Sequence, residues 1–376
     1  MSRTICLNAN TIVFPHGGGH RWVYLNWALG LRAAGCRVIW SEGVLPAWGG
    51  PRIAELARIL ADHLRPFGLA ESISLYSYND QPVPPMDFPY VPTEATFDAD
   101  LLLEIAYGSD ERFVRRYKRS ALIDIDPGIL QVWVHQGNMK IAPHDAYFTI
   151  GETVGQPGSR VPDVGIPWHY LPPCVALDAW PVTPAPVNAP FTTVSQWRGG
   201  DWIIHGDDSY NNEKREGFLP FLDVPRLTRQ PLELALGLGE WEQDERDNLM
   251  GKGWRVRHAS EVTASPTDYQ QYIQRSRGEF SCCKPSCVKL QNAWISDRTI
   301  CYLASGKPAV VQHTGPSRFL PDAEGLFRFK TIEEAATMLD RVGSDYDHQS
   351  ATARSLAEEF FDARKVCRQL LEVALP

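Results

Sequence analysis

Apolar residues along this chain follow two rhythms. Short runs of β-branched and aliphatic residues mark strands, and apolar residues every three or four positions mark helices. Thr4–Val13 reads as a strand. Arg21–Ala34 carries Trp22, Leu25, Leu29 and Ala33 at helical spacing, and Gly35 stops it. Cys36–Trp40 is the next strand, completing a strand–helix–strand unit of the kind that builds parallel sheets. Leu101–Ala106, Ala121–Ile125 and Tyr147–Ile150 continue as short buried strands, and Val132–Val134 is a further strand-like run.

Residues 157–190 then carry nine prolines, where average usage predicts roughly two. Such a stretch is extended and short of backbone donors, so it reads as a linker. A second alternation follows. Phe191–Gln196, Leu232–Leu238, Trp254–His258, Gly278–Cys283, Pro308–Gln312 and Leu326–Phe329 read as strands. Helices are expected from Lys214, over Tyr269–Arg275, Ser296–Ala304 and Thr331–Val342, and as one long amphipathic stretch from Ser350 to Ala374. The expected class is α/β, in two similar halves that face a cleft. Ligands of such folds lie outside the carboxyl ends of the strands, so the chemistry belongs in the loops after them.

Composition narrows the partners. At 376 residues the chain is long enough for two domains. With 37 Lys+Arg against 45 Asp+Glu, the net charge of −8 argues against a protein that lives on nucleic acid. No signal-like segment and no apolar run long enough to span a membrane is present, which predicts a cytoplasmic protein with reduced thiols. Cys282, Cys283 and Cys287 lack a second ligand pair at metal-site spacing and read as buried thiols, so no metal is expected. The 12 Trp read mainly as large core side chains.

Four loops carry candidate chemistry. His16-Gly17-Gly18-Gly19-His20 places three glycines and a histidine at the first strand-to-helix turn, where backbone N–H groups meet ligands. His20 is a candidate base. His135, beside Gly137, is a second histidine after an apparent strand. Lys214-Arg215, at a loop-to-helix junction, suits an anion, the lysine as a point charge and the arginine as a fork. Glu279, Ser296, Asp297 and Arg298 surround the last of these loops, where Ser296 or Asp297 can cap a helix. Each also has a structural reading: a mobile turn, a histidine capping a turn, a solvated helix start and an ordinary α/β unit.

The segment Tyr302-Leu303-Ala304-Ser305-Gly306-Lys307-Pro308-Ala309-Val310-Val311 resembles the Gly-x-Pro helix and strand of GT-B glycosyltransferases, the family 1/4 group in particular. Lys214-Arg215-Glu216-Gly217-Phe218 sits where those enzymes have a lysine on the donor pyrophosphate, and the Gly17–His20 loop resembles their N-terminal glycine-rich loop. The resemblance implies two Rossmann-like domains: an acceptor domain over 1–178, a nucleotide-sugar domain over 179–348, and a helix over 349–376 crossing back to the first. It also implies a hexosyl- or deoxyhexosyltransferase that needs neither metal nor cofactor. In it Lys214, with Arg215 beside it, would hold the diphosphate of the nucleotide-diphosphate sugar; Ser296, Asp297 and Arg298 are expected to join them as the polar residues nearby, on their own chemistry and not by the resemblance. The Gly17, Gly18 and Gly19 loop would meet a small-molecule or glycan acceptor, with His20 serving the chemistry; His135 at the acceptor and Glu279 in the chemistry are expected from the residues themselves and not from the resemblance. The sequence departs from the pattern in one place. Ala293 and Cys301 stand where many retaining members have two glutamates eight apart. A nucleotide-sugar epimerase and a non-catalytic nucleotide- or sugar-binding protein of the same shape are the rival expectations.

Overall fold

A computed structural model describes residues 2–79, 81–199 and 202–376. The first half is a parallel sheet of seven strands: β1 (Thr4–Ala9), β2 (Arg37–Val44), β3 (Ile73–Ser77), β4 (Leu101–Glu104), β5 (Ser120–Asp124), β6 (Ala146–Thr149) and β7 (Trp168–Tyr170). Their order is β3-β2-β1-β4-β5-β6-β7. The second half holds a hairpin of β9 (Trp202–His205) and β10 (Asp208–Asn211), with a six-stranded parallel sheet. That sheet contains β8 (Phe191–Gln196), β11 (Leu232–Gly237), β12 (Arg255–His258), β13 (Gly278–Ser281), β14 (Ala309–Gln312) and β15 (Leu326–Phe329), in the order β12-β11-β8-β13-β14-β15. Each sheet thus runs outward in both directions from its first strand, the doubly wound arrangement. The order reverses between β1 and β4 in one half and between β8 and β13 in the other.

The strands are nearly continuous apolar runs because helices cover both faces. Ile5, Leu7, Leu101, Leu103, Ile123 and Phe148 are buried in one core, and Phe191, Leu234, Phe280, Val310 and Phe327 in the other. The first core continues through the Gly18–Ala33 helix into Ile300, Leu303 and Ala357 of the second half, so the halves share buried surface.

Several expectations are corrected. The proline-rich stretch is not only a connector, since β7 lies within it and closes the edge of the first sheet. Val132–Val134 is not a strand. It belongs to a helix, Ile129–His135, that starts after Gly128, whose N–H donates to Gln131 Oε1 at 2.6 Å. β1 ends at Ala9, because the Thr11 and Ile12 N–H groups turn onto the Glu42 carboxylate. The last long helix is two, Tyr346–Phe360 and Ala363–Ala374. They are separated where Val175 bonds the backbone of Phe361 and Ala363 and where the Asp362 side chain caps the second. That second helix packs on the Gly18–Ala33 helix, close enough that a Cβ on Gly30 would collide with Ala363 and Cys367. Among the described residues no helix is long and apolar enough to cross a membrane.

Candidate functional site

The carboxyl ends of the two sheets face each other. Asn292, between β13 and β14, donates through Nδ2 to the Pro127 carbonyl after β5 at 2.7 Å. Thr153, after β6, donates to the Gln291 carbonyl at 3.0 Å. Glu152 accepts from Ser317 Oγ at 2.6 Å and from Arg318 Nε at 3.0 Å. Trp22 donates through Nε1 to the Pro266 carbonyl at 2.8 Å. The β9–β10 hairpin reaches across as well: Ile203 is buried among Ile129, Val132, Val154 and Val161 of the first half.

Lys214 lies at the switch point of the second sheet, on a short helix, Lys214–Phe218, that follows the β9–β10 hairpin. Gly217 lets that helix lie directly on the loop after β13, since a Cβ there would collide with the Cys283 carbonyl. The result sets the Lys214 ammonium among the Cys282, Cys283 and Cys287 thiols and 5.7 Å from the centre of the Trp294 ring. It has no carboxylate partner among the described residues. Burial, and then the nearby Arg298 charge, lower its pKa to about 8. A cation held without a counter-ion in such a place suits a bound anion.

Its neighbour Arg215 is spoken for. Nε and Nη2 reach both oxygens of Glu245 at 2.8 and 3.3 Å, which raises the arginine pKa above its ordinary value. Expected at the diphosphate with Lys214, Arg215 is instead a brace for the Lys214 helix. Arg298 and Glu279 are also redirected. Glu279 is fully buried on β13 and receives Arg298 Nε at 2.7 Å, while Arg298 also donates to the Val194 carbonyl at 3.0 Å and to Ser281 Oγ at 2.5 Å. Burial works against the guanidinium charge, but Glu279 more than restores it, so its pKa is raised. Glu279 therefore does not reach the cleft as a catalytic group.

Ser296 caps the Asp297–Ala304 helix, its Oγ accepting from the Arg298 N–H at 3.2 Å. Asp297 is half-buried at the head of that helix, with its pKa raised by burial and opposed by Arg298 and His20. His20 thus lies on the far wall of the same cleft. Its Nε2 bonds the Asn10 carbonyl at 2.7 Å. A carbonyl can only accept, so Nε2 carries a hydrogen and Nδ1 is the ring nitrogen outside this bond. Phe14 and Tyr24 pack edge-on against the ring at 5.0 and 5.3 Å.

The glycine loop differs from expectation. Gly18 and Gly19 already form the first turn of the Gly18–Ala33 helix, and Gly17 precedes it. A Cβ on Gly18 would collide with the Ser265 carbonyl, and one on Gly19 would press on the Tyr269 ring at 2.7 Å. The close approach these glycines permit is to the opposite half of the protein. His135 ends its helix exposed to solvent, beside the hairpin that Gln136 grips. Cys301 is buried and receives Asn26 Nδ2 at 3.6 Å, and Ala293 sits at φ +55 with its N–H on the Thr314 carbonyl. Lys307 of the Gly-Lys-Pro turn is buried and tied to the Thr183 carbonyl at 2.6 Å.

Sequence reasoning passed over Asp126, which follows β5 and bears electrostatically on Asp297 and Tyr24 in the cleft. The Asp-Pro-Gly turn that ends a buried strand was the available signal.

No protein-family model matches the chain, nor does any curated protein by sequence. Solved structures do match its fold over nearly their whole length. Anabaena Alr3699/HepE, in complex with UDP and glucose, superimposes with a TM-score of 0.57 at 12% identity, covering 98% of each chain. A glycosyltransferase from Rickettsia africae ESF-5 gives 0.57 at 12% identity, covering 99% of this chain and 98% of that one. An alpha-glucosyltransferase in complex with UDP-glucose and DNA containing an abasic site gives 0.61 at 10% identity, covering all of both. The chain has the GT-B fold of these glycosyltransferases.

Proposed function

We propose that this protein transfers a sugar from a nucleotide-diphosphate sugar to an acceptor hydroxyl, with UDP-glucose as the first donor to test. The observation that carries this reading is Lys214: an uncompensated, partly desolvated ammonium at the switch point of the second sheet, where a leaving diphosphate needs its charge met. The UDP and UDP-glucose held by structures of the same fold support it. In this reading Lys214 and the head of the Asp297–Ala304 helix stabilise the charge that develops on the departing diphosphate. That supply of positive charge lets the reaction run without a divalent metal or other cofactor. His20 accepts the acceptor proton at Nδ1 if the reaction inverts, and orients the sugar if it retains. We take the first half as the acceptor domain and the second as the donor domain. One neighbour of this fold is bound to DNA. Nucleic acid is set aside as an acceptor here because of the net charge of −8. The eight free cysteines suit a reducing compartment, and we place the protein in the cytoplasm.

The test is release of UDP from UDP-glucose, with and without a panel of acceptors, in the presence and absence of EDTA. Acceptor-dependent release insensitive to EDTA is the expected result. Conversion of the nucleotide sugar without acceptor would make the protein an epimerase. UDP binding with no turnover of any nucleotide sugar would make it a binding protein.

A further inference from the structure

A second cavity lies in the first half, at the carboxyl end of β3 and beneath the proline-rich loop of residues 81–92. Its volume is about 630 Å³, within the range of small-molecule sites. Its walls are aromatic. The Phe113 ring stacks on Tyr76 at 4.3 Å and 19°, Phe97 meets Phe113 edge-on at 6.1 Å, and Tyr90 completes the wall. Tyr76 is buried, but Tyr90, Phe97 and Phe113 are only half-buried, so aromatic surface remains open to the cavity. Planar polar groups stand among these rings: Gln81, Glu94 and Arg116. Arg116 lies 4.1 Å over Phe97 and has no carboxylate partner among the described residues, whereas Arg112 on the same cavity pairs with Asp110.

This mixture is the chemistry that recognises a sugar ring. Aromatic faces take the apolar C–H face of a pyranose, and amide, carboxylate and guanidinium groups take its hydroxyls in pairs. An apolar ligand would leave the three polar groups unused, and a nucleoside diphosphate would find a single uncommitted cation beside a carboxylate.

The cavity is also tied to the switch point of the first sheet. Tyr76 accepts from Asn8 Nδ2 at 3.1 Å, and the same Nδ2 donates to Ser109 Oγ, after β4, at 2.7 Å. Tyr76 is thus the wall between the cavity and the β1–β4 crevice.

We propose that this cavity is a distal saccharide site, which holds one pyranose unit of an extended glycan acceptor whose other end enters the cleft. The proposal rests on the transferase reading and narrows its acceptor from any hydroxyl compound to an oligosaccharide.

The experiment uses the full chain on an array of neutral and acidic oligosaccharides of two to six units, with UDP-induced thermal stabilisation measured in parallel. Wild-type protein should bind saccharides of three or more units. Phe97→Ala and Arg116→Ala should each lose at least tenfold of that binding while their UDP-induced shift stays intact, which also shows that they are folded. Equal saccharide binding by the variants, or no saccharide binding by wild-type protein that still responds to UDP, would overturn the distal site alone. Loss of the UDP response in wild-type protein would overturn the transferase reading with it.

Discussion

Lys214 and Trp294 face each other across the mouth of the second sheet, the ammonium 5.7 Å from the ring centre, and the lysine has no carboxylate partner among the described residues. An aromatic face attracts a cation weakly and does not neutralise it. The pair therefore keeps a positive charge available to a ligand. Lys214→Ala should lower sugar transfer at least tenfold, about 1.4 kcal/mol of barrier. Steady-state kinetics with UDP-glucose checks this, and unchanged turnover would remove Lys214 from the diphosphate site.

The same lysine sets a pH dependence. Its pKa is lowered to about 8 in the folded protein, so it is charged below that pH and loses charge as pH rises through it. UDP favours the charged form. Affinity should be full near pH 7 and fall above pH 8, while Lys214→Met binds weakly at pH 7 and loses this step. Titration calorimetry between pH 7 and 10 reads the difference. A step of equal size in the variant would assign it to another group.

Gly217 should be intolerant for a steric reason. An added methyl meets the Cys283 carbonyl, and the Lys214 helix must lift away. Gly217→Ala is expected to cost about 1–3 kcal/mol of stability, as overpacking does, and to weaken UDP binding several-fold. Urea unfolding and UDP titration separate the two effects.

Glu279 and Arg298 form a pair whose members are nearly closed to solvent, at 0% and 10% side-chain exposure. Removing one partner leaves a buried charge behind. Glu279→Ala should destabilise by about 3–5 kcal/mol, and Glu279→Leu combined with Arg298→Met should recover much of it. A Glu279→Ala variant of native stability with lost turnover would instead return Glu279 to the chemistry.

His20→Gln should preserve UDP affinity and lower the transfer rate if, as proposed, Nδ1 serves the acceptor and not the nucleotide. Parallel measurement of UDP affinity and of turnover decides between this and a packing role. Equal losses in both would mean that the ring merely supports Phe14 and Tyr24.

The alternation of strands and helices was legible because buried parallel strands leave short apolar runs, and the Lys214–Phe218 segment announced its lysine. What local pattern could not show was direction. Lys214 and Arg215 are adjacent, yet residues one apart on a helix point about 100° from each other, so one meets the thiols and the other Glu245. Val132–Val134 has strand composition, but the turn at Gly128 and its bond to Gln131 start a helix there. The Ser350–Ala374 pattern is continuous in apolar spacing, and it is broken where the distant Val175 bonds the backbone of Phe361 and Ala363 beside the Asp362 cap. Glu279 was a candidate for the chemistry because the partner that claims it, Arg298, lies nineteen positions away.

The missing side chains of Gly18 and Gly19 have a consequence for what the cleft admits. The backbone of that first helical turn rests against Ser265 and Tyr269 of the opposite half. These two positions thus act as a spacer of minimal thickness between the halves. Any larger residue there would wedge the halves apart, so in the proposed reaction the fit of a sugar between His20 and Lys214 would depend on two residues that need touch neither substrate.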